Sequence, residues 1–446
     1  MPSTPVVYRI AVRVGASLAP ALSLLNEKLA TGHRGRREAA RRLTAWSERS
    51  RDRTRPLVWF HASSVGEGLQ AESVLLKLRA LHPAAQYVYT HYSPSAEPLA
   101  RRLPVDAADY LPYDLPATTA QLLHALDPSL IVFSKLDLWP ELATRAAARG
   151  TTVAMVAATV SPGSGRLRWP ARAMLRDGYG AIQLAAAVSD EDAARLVRLG
   201  VPAQRIQVLG DPRFDSVAER ISGLGTEEPL LGFGQGAPTM VAGSTWPGDE
   251  AVLLDAFRRV HASHPEARLI VVPHEPSAVH LAAVERTAAS RGLPAPVRLS
   301  AAGAPAPFLL VDRVGVLATL YGAGTMAYVG GGYGRAGLHS VLEPAAWGIP
   351  VVFGPRWRES RDAALLLKDG AAAGLTSTGA AGAAELEEIW RGWIEQEEQR
   401  AAQGAQARAV VERGRGASRR AAELLGSAIS SPRPRTSPTA ARPAPE

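Results

Sequence analysis

The segment LVWFHASSVGEGLQAESVLLKLRAL at residues 57–81 is followed by QYVYTHY at 86–92. It begins with a short apolar run of the length of a buried strand, and from Leu69 onward apolar residues recur at the i, i+3, i+4 spacing of a helix. A strand, a helix and a second apolar strand in this order predict a βαβ unit, with parallel strands and helices on both faces of the sheet.

The same alternation continues along most of the chain. Before residue 222, further strand-like runs are DYLPYDL (109–115), SLIVFS (129–134), TVAMVAATV (152–160), LAAAVS (184–189) and IQVLG (206–210). After a Gly- and Pro-rich stretch, the pattern restarts with TMVAGS (239–244), RLIVVP (268–273), FLLVD (308–312), AYVGGG (327–332) and IPVVFG (349–354). We therefore predict two doubly wound α/β domains that face each other across a cleft, with ligands beyond the carboxyl ends of the strands.

The predicted organisation has five parts. They are a helical, membrane-associating segment at 1–33, a first α/β domain at 34–222, a linker at 223–238, a second α/β domain at 239–415, and a Pro-, Arg- and Ala-rich tail at 416–446. Gly and Pro mark the linker, and we expect the tail to be disordered because its composition cannot support a packed core.

Composition narrows the class of protein. Of the 446 residues, 46% are hydrophobic and 21% are charged, which excludes a disordered chain, a collagen-like chain and a polytopic membrane protein. Cysteine is absent, which excludes a disulfide framework, a thiolate metal site and a cysteine nucleophile. The net charge is +8, and arginine is concentrated at 34–55 and after Arg400. Such clusters suggest an anionic partner, either a membrane surface or nucleic acid.

The N-terminal segment PVVYRIAVRVGASLAPALSLLNE at 5–27 is apolar but interrupted by Arg9, Arg13 and Pro20. Its uninterrupted run after Arg13 is too short to span a bilayer, and no A-x-A site closes it as in a signal peptide. One helical face would carry Val7, Ile10, Ala11 and Val14. Two interpretations stay open: a helix lying in the membrane plane, or a helix packed on the body of the protein.

In the first domain, polar residues follow predicted strands. Glu67 in HASSVGEG can serve as a general base, or it can complete an S-x-x-E capping box with Ser64. Asp137 in VFSKLDLWPEL follows an apolar strand and so faces the cleft, whereas Trp139 is typical of a packing residue. Arg213 in VLGDPRFD can bind an anionic ligand group, or it can pair with the neighbouring aspartates.

In the second domain, three segments have the features of ligand sites. Gly243 and Ser244 in GSTWPGDE offer an anion site at a helix start, or simply a capping loop. His274 in VPHEP follows a strand, but no further ligands complete a metal site there, so we predict no metal. The Gly-rich loop in VGGGYGRAGLHSVLEP lacks the G-K-[ST] ending of a P-loop, yet its backbone can approach a phosphate, and Glu343 can accept hydrogen bonds from ribose hydroxyls. This last segment predicts nucleotide binding.

Taken in order, HASSVGE, LWPEL, GDPRFD, GSTWPGDE, VPHEP and LHSVLEP resemble the transferases of 3-deoxy-D-manno-oct-2-ulosonic acid (Kdo) in lipopolysaccharide synthesis. The resemblance covers nearly the whole chain. It implies a GT-B glycosyltransferase with two Rossmann-like domains, the first for the acceptor and the second for CMP-Kdo. It also implies inverting transfer of Kdo to a lipid A precursor, without a metal or other cofactor, at the cytoplasmic face of the bacterial inner membrane.

The resemblance also implies roles for particular residues. Glu67 looks like the base, Asp137 stands where the family often has glutamate, and Arg213 would stabilise developing charge. Many relatives have Arg at the position of His274 and Asn at that of Ser340. The implied CMP-Kdo contacts are Gly243, Ser244, Pro273, His274, Gly315, Val316, Leu317, Ser340, Val341, Leu342 and Glu343.

Two alternative functions belong to other classes of protein. A different GT-B enzyme, such as a hexosamine transferase or a nucleotide-sugar epimerase, would be expected to prefer UDP to CMP. A basic protein that binds nucleic acid through its arginine-rich ends would show steeply salt-dependent affinity. No RNA-binding motif or interleaved aromatic patch supports the second alternative, so we expect no nucleic-acid partner.

Overall fold

The computed structural model describes residues 4–224, 228–334 and 337–430. The described residues form two compact units. One consists of the chain up to Ser216 together with the chain from Arg415, and the other is Val217–Gly414.

The first unit is built on one parallel sheet. Its strands are β1 (Leu57–His61), β2 (Gln86–His91), β3 (Ala107–Tyr110), β4 (Leu130–Ser134), β5 (Thr152–Ala158), β6 (Leu184–Ala187) and β7 (Ile206–Val208). Its helices are α1 (Val6–Ser23), α2 (Glu27–Ser50), α3 (Val65–Leu81), α4 (Glu97–Arg102), α5 (Pro116–Leu126), α6 (Pro140–Ala148), α7 (Ala171–Gly180) and α8 (Asp190–Leu199), followed by α9 (Pro212–Ser222), which continues into the second unit.

The strand order in this sheet is β3-β2-β1-β4-β5-β6-β7. Strands β1, β2 and β4 are buried along their whole length, and β1 and β4 are apolar up to their last residues, His61 and Ser134. Val58 of β1 is in register with Leu130 of β4, and Leu57 with Gln86 of β2. The chain order reverses between β1 and β4, and such a switch point leaves a crevice beyond the carboxyl ends of the two strands.

The second unit repeats this architecture. Its strands are β8 (Thr239–Thr245), β9 (Arg268–Pro273), β10 (Val297–Arg298), β11 (Phe308–Leu310), β12 (Met326–Val329), β13 (Val351–Phe353) and β14 (Ala372–Gly374). The helices are α10 (Pro247–Ser263), α11 (Ala278–Ser290), α12 (Leu317–Leu320), α13 (Leu342–Trp347), α14 (Arg361–Lys368), α15 (Gly379–Glu395) and α16 (Glu397–Gly414). All its strands are parallel, in the order β10-β11-β9-β8-β12-β13-β14, with the switch point between β8 and β12.

The chain passes between the units at Ser216–Val217, inside α9, and returns at Gly414–Arg415. The stretch at 223–238, predicted as the linker, therefore lies in the second unit where it is described. Leu230 is buried there, and Arg268 of β9 donates hydrogen bonds to the carbonyls of Phe233 and Gln235. In the described part of this stretch, Pro229–Gly234 forms a short 3-10 helix rather than a free connection.

The disordered tail predicted from residue 416 is wrong for the first part of that range. Ala417–Ser430 forms helix α17, and Ala421, Ala422 and Leu425 lie in the core of the first unit. Asp215 caps this helix, because its carboxylate accepts hydrogen bonds from Gly416 N at 2.6 Å and Ser418 N at 2.7 Å. The Pro- and Arg-rich composition that suggested disorder belongs to residues 431–446, which lie outside the described residues.

The N-terminal segment is a helix packed on the body of the protein, as one of the two interpretations has it, and its placement in a membrane stays a prediction. Helix α1 is bound to the first unit through Tyr8, which donates to Asp114 at 2.9 Å, and through Arg9, which pairs with Glu141 at 2.7 Å. Its outer face stays exposed: the large apolar side chains there, each more than half exposed, are Val7, Ile10, Val14 and Leu18. Among the described helices, α1 alone has the length and apolar composition to cross a bilayer.

The arginine-rich stretch at 34–55 is not simply a free cationic surface. Arg42 pairs with Asp109 at 2.6 Å, and Arg55 donates to the carbonyls of Ala84 and Ala85. Arg36 is buried. Several of the charges counted from the sequence therefore stabilise the junction of α2 with the sheet.

Candidate active site

Glu67 lies in the first turn of α3, directly after β1. Its Oε2 accepts a hydrogen bond from Ser64 N at 3.2 Å, and its own N–H donates to Ser64 Oγ, so the capping box is present. Ser134 Oγ, at the end of β4, donates to the carbonyl of Glu67 at 3.0 Å. Within the described residues Oε1 has no hydrogen-bond partner, so the cap orients the carboxylate and leaves one oxygen available for chemistry.

A glycine is required immediately after Glu67. A Cβ at Gly68 would overlap the side chain of Leu99 and would lie 2.8 Å from Tyr89 Oη. The helix start can therefore sit close against this part of the core only because position 68 has no side chain.

Asp137 lies in the turn that follows β4, next to β1 in the sheet. Its Oδ2 is 2.8 Å from His61 Nε2 and accepts a short hydrogen bond from Ser63 Oγ. Burial tends to raise the pKa of this carboxyl group, but hydrogen bonds from His61, Ser63 and Trp139, together with the charge of His61, lower it overall. The structure thus places Glu67 and Asp137 at the ends of adjacent strands, at the switch point of the first sheet.

Sequence reasoning missed His61, Ser63 and Trp139 as members of this site. Trp139 was assigned to packing, yet its indole N–H lies 3.0 Å from His61 Nε2. The available signal was His61 itself, a titratable residue closing a fully apolar strand.

A groove of about 300 Å³ lies between α1 and α2, beside this cluster. This is the lower end of the size range of small-ligand pockets, roughly 300–1,000 Å³. Its α1 wall is apolar and carries small side chains, and its far wall carries aromatic rings. The lining includes Val12, Ala16, Ala19, Leu22, Leu29, Tyr92, Tyr113 and Trp139.

Arg36 is the cationic group of this groove. It is 8% exposed, its guanidinium lies 4.1 Å from the ring centre of Tyr92, and it donates to the Tyr92 carbonyl at 3.0 Å. Its Nε is buried without a hydrogen-bond partner, and none of the carboxylates in the described ranges pairs with it. An arginine desolvated in this way favours an incoming anion, since the unpaired charge is otherwise costly.

Arg213 is not brought to this cluster. It follows β7, which is the edge strand of the first sheet. Strand β7 is separated from β4 by three strand spacings of about 4.8 Å each. Its guanidinium binds Asp211 Oδ2 at 2.6 and 2.9 Å, which is the local pairing that the sequence left open. Asp215 does not join that pair and caps α17 instead.

The sequence-predicted residues of the second unit lie at or after the ends of four adjacent strands, β11, β9, β8 and β12. Gly243 is crowded, because a Cβ there would overlap Tyr321 Oη and approach Leu317 to 2.6 Å. Ser244 follows with a positive φ of 53°, and Gly315 and Val316 lead into α12. Backbone shape, rather than side chains, therefore forms this part of the site.

An aromatic layer, formed by the rings of Trp246, His274 and His339, lies beside these backbone segments. Trp246 donates to His339 Nε2 at 3.0 Å, and the two rings are within 13° of coplanar. His274 stacks on this layer at 4.4 Å from His339 and is exposed to solvent, next to the buried Pro273. Burial and the neighbouring His274 lower the pKa of His339 to about 4. Trp246 and His339 were not predicted from the sequence.

The segment before α13 divides into exposed and buried residues. Ser340 is exposed, whereas Val341 and Leu342 are fully buried and belong to the core. Glu343 pairs with Arg220 at 2.8 Å. Burial raises the pKa of Glu343, against the opposing effect of Arg220. Across the described ranges, no group of three or more His, Asp and Glu side chains has an arrangement that could hold a metal ion.

Comparison with known proteins gives consistent results. A family model described as 3-deoxy-D-manno-octulosonic-acid transferase (kdotransferase) matches residues 37–216. The 3-deoxy-D-manno-octulosonic acid transferase of Bordetella pertussis is 31% identical over 71% of this chain and 74% of its own length. That of Haemophilus influenzae is 26% identical over 67% and 70%.

Two solved structures share the fold. UDP-GlcNAc 2-epimerase from Neisseria meningitidis, bound to UDP-GlcNAc, has a TM-score of 0.59 at 12% identity and covers 84% of this chain and 99% of its own. A glycosyltransferase from Rickettsia africae has a TM-score of 0.56 at 10% identity, with coverage of 85% and 100%. The predicted GT-B class, with two doubly wound α/β halves, is confirmed.

Proposed function

The chain belongs to the Kdo transferase family of glycosyltransferases, and on that premise we propose that it moves Kdo from CMP-Kdo to a lipid A precursor with inversion, without a metal ion, using Glu67 as general base. The family supports Kdo transfer to a lipid A-type acceptor. The observation that carries the finer proposal is the pair of carboxylates, Glu67 and Asp137, at adjacent strand ends β1 and β4.

The proposed reaction is a single displacement. An acceptor hydroxyl oxygen forms the new bond to the anomeric carbon of Kdo while the bond from that carbon to the CMP phosphate oxygen breaks. The hydroxyl proton passes to Glu67, and CMP departs with the bonding electron pair. One base is sufficient for inversion, and the free Oε1 of Glu67 supplies it.

Donor binding is assigned to the second unit. The exposed ring face of His274 can stack on the cytosine of CMP, because the opposite face already rests on Trp246 and His339. Ser340 and the backbone at Gly243 and Ser244 are available to phosphate and sugar oxygens, and Glu343 can accept hydrogen bonds from ribose hydroxyls.

Acceptor binding is assigned to the first unit. The groove between α1 and α2 is apolar along α1 and carries Arg36 beside the aromatic rings. This combination suits an acyl chain attached to a phosphorylated sugar. The exposed apolar face of α1 would enter the cytoplasmic face of the inner membrane and place the groove next to the lipid.

A transfer assay tests the proposal, with CMP-Kdo generated in situ, a tetra-acylated lipid A precursor and EDTA present. We expect wild type to transfer Kdo, and Glu67→Gln to lower kcat by about 100- to 10,000-fold. Glu72→Gln is the matched control, because it removes a carboxylate from the same helix at a surface ion pair with Arg102.

Each outcome has a separate meaning. Equal rates for wild type and Glu67→Gln, with both proteins folded, would remove Glu67 from the role of base. Transfer that stops in EDTA and returns with a divalent ion would contradict metal independence. No transfer by wild type, together with binding of UDP in preference to CMP, would replace the proposed substrate by a UDP-sugar.

A further inference from the structure

Ser244 is an extra residue at the end of β8, and its backbone is strained. In the pairing of β8 with β9, the register jumps from Gly243 to Thr245 and leaves Ser244 without a counterpart, which makes it a β-bulge. Its φ of 53° lies in the left-handed region, which residues other than glycine rarely adopt. Such a conformation persists only where the surrounding structure holds it. The contacts around Ser244 therefore indicate what keeps this bulge in shape.

The residue after the bulge is held by Glu250. Thr245 is fully buried, and its Oγ1 donates a hydrogen bond to Glu250 Oε1 at 2.9 Å. Glu250 lies in the first turn of α10, where its own N–H donates to the Trp246 carbonyl at 3.0 Å. The carboxyl group of Glu250 thus reaches back to β8. A rotation of the Ser244 backbone would displace Thr245 and break this hydrogen bond.

Glu250 also contacts a residue that is bound to the loop after β9. His280 Nε2 lies 3.0 Å from both oxygens of Glu250, and His280 Nδ1 lies 3.0 Å from the carbonyl oxygen of Glu275. The same loop meets the end of β8 directly, because His274 N donates to the Thr245 carbonyl at 3.0 Å. Glu250 therefore joins the end of β8 to the loop after β9 through side chains.

Capping of α10 does not require Glu250, since the neighbouring Asp249 performs it. Asp249 Oδ2 accepts hydrogen bonds from the N–H groups of Trp246 and Gly331, both at 3.0 Å. Asp249 Oδ1 accepts one from Tyr328 Oη at 2.8 Å. Glu250 is 5% exposed, so its carboxyl group is too enclosed to contact a substrate. A second buried carboxyl group at this helix start thus needs another explanation than capping.

We propose that Glu250 is a positioning residue of the donor site. Through Thr245 it holds Ser244 in its left-handed conformation. Through His280 it fixes the loop that carries His274. This rests on the proposed function, which assigns the backbone of Ser244 and the ring of His274 to CMP. Glu250 itself binds no substrate and takes part in no proton transfer. It acts on affinity, since a bulge that relaxes in the free protein must form again when the nucleotide binds.

Calorimetric titration of CMP into the full-length protein tests the contact with Thr245. Thr245→Val keeps the shape of the side chain and removes the hydroxyl, so we expect the Kd for CMP to rise about tenfold. Thr245→Ser keeps the hydroxyl, so its Kd should stay within about twofold of wild type. An unchanged Kd in Thr245→Val would overturn the proposal.

Tyr328→Phe is the matched control, because it also removes a buried hydroxyl that donates to a carboxyl group at the start of α10. Asp249 keeps its contacts with Trp246 and Gly331 in this variant. Both variants should lower the melting temperature, but Tyr328→Phe should leave the Kd for CMP within about twofold of wild type. Equal increases of Kd in the two variants would show a general loosening of the second unit and would overturn the proposal.

A glycine at position 244 provides a rescue that a merely structural role would not show. Glycine adopts the conformation of Ser244 without strain, so it needs no support from Glu250. In the Ser244→Gly background, Thr245→Val should therefore raise the Kd by less than about threefold. A loss of about tenfold in both backgrounds would contradict the link between Glu250 and Ser244.

Glu250 can also be changed directly. Glu250→Met is similar in size and removes both hydrogen-bond acceptors, so it should raise the Kd for CMP at least about tenfold. Glu250→Gln keeps one acceptor for Thr245 and should raise the Kd less. An equal effect of the two substitutions would contradict a role through this hydrogen bond.

Failure of this proposal can be told apart from failure of the proposed function. Kdo transfer by wild type, together with wild-type CMP affinity in Thr245→Val, would overturn the role of Glu250 and leave the function in place. The expected changes of Kd in a protein that binds CMP but transfers no Kdo would support the role of Glu250 and contradict the proposed function.

Discussion

Arg220 donates a hydrogen bond to Glu343 at 2.8 Å, and this pair ties α9 to the start of α13. Helix α9 is the element in which the chain passes from one unit to the other. Glu343 is also the residue that we assign to the ribose of the donor. The pair therefore connects the proposed nucleotide site of the second unit to the segment by which the chain enters that unit.

Removing Arg220 should weaken CMP binding at mildly acidic pH. Burial already raises the pKa of Glu343 and Arg220 opposes that effect, so Arg220→Met should raise this pKa further. The carboxylate is lost as pH falls through its pKa, so the loss of CMP affinity should begin at a higher pH in the variant. Calorimetric titration of CMP across pH checks this. Arg259→Met, which breaks the pair with Glu387, should leave the profile unchanged.

His339 should make the second unit less stable in mild acid. Burial lowers the pKa of His339 to about 4. Between this value and the ordinary histidine pKa, the unfolded chain therefore binds a proton at this residue and the folded chain does not. Stability should therefore fall as pH drops below the ordinary histidine value, with a slope of at most about 1.4 kcal/mol per pH unit. Urea unfolding of His339→Gln at pH 7 and pH 5 should show a smaller loss than wild type. An equal loss in both proteins would contradict this origin.

A bulky side chain in the groove between α1 and α2 should impair acceptors with long acyl chains more than acceptors with short ones. Ala16 lines it, so Ala16→Phe should lower the kcat/KM ratio of a long-chain to a short-chain acceptor at least about tenfold. Ala11→Phe places the same ring on an exposed part of α1 and should keep the wild-type ratio. An unchanged ratio in Ala16→Phe would exclude an acyl chain from the groove.

Charge in the same groove can be tested separately. Arg36→Gln should raise the KM for a bisphosphorylated acceptor more than for its dephosphorylated analogue, because Arg36 has no carboxylate partner among the described residues. Arg36→Lys should restore part of the difference, since it keeps the charge and loses the planar fork. Equal KM changes for the two acceptors would argue for a packing role.

The cap on α17 should contribute measurably to stability. Asp215→Ala removes the acceptor for two backbone N–H groups and should cost about 1–2 kcal/mol of unfolding free energy. Asp190→Ala is the control: Asp190 is an exposed first-turn residue of α8, where Ser189 provides the cap. A melting temperature equal to that of the control would show that the cap is dispensable.

The strands of both sheets could be predicted from the sequence, because the spacing and the length of an apolar run are local properties of the chain. Buried strands such as Leu130–Ser134 are visible in any short window, and the order of motifs identified the family. His61 was missed because its contact is with Asp137, which is far away in sequence and meets it only across neighbouring strands. Helix α17 was missed for a similar reason: its alanines can be recognised as core residues only when the core of the first unit, against which they pack, is known.

The role of Arg213 stays a prediction, and its position shows what the sequence could not supply. Its motif suggested an active-site charge, yet sheet order puts it at the far edge from Glu67, where Asp211 binds it. Strand order is a property of the folded sheet, and spacing along the chain does not report it.

The return of the chain to its first unit affects how the protein is made. Helix α17 packs on α3, and Ser73 and Ser418 share a hydrogen bond of 2.7 Å, but the whole of Val217–Gly414 is synthesised between them. At about 5–20 residues per second, this separation lasts roughly 10–40 s. During that time the ribosome holds a first unit whose apolar surface on α3 is uncovered, so the nascent chain needs protection from aggregation until its last helix emerges.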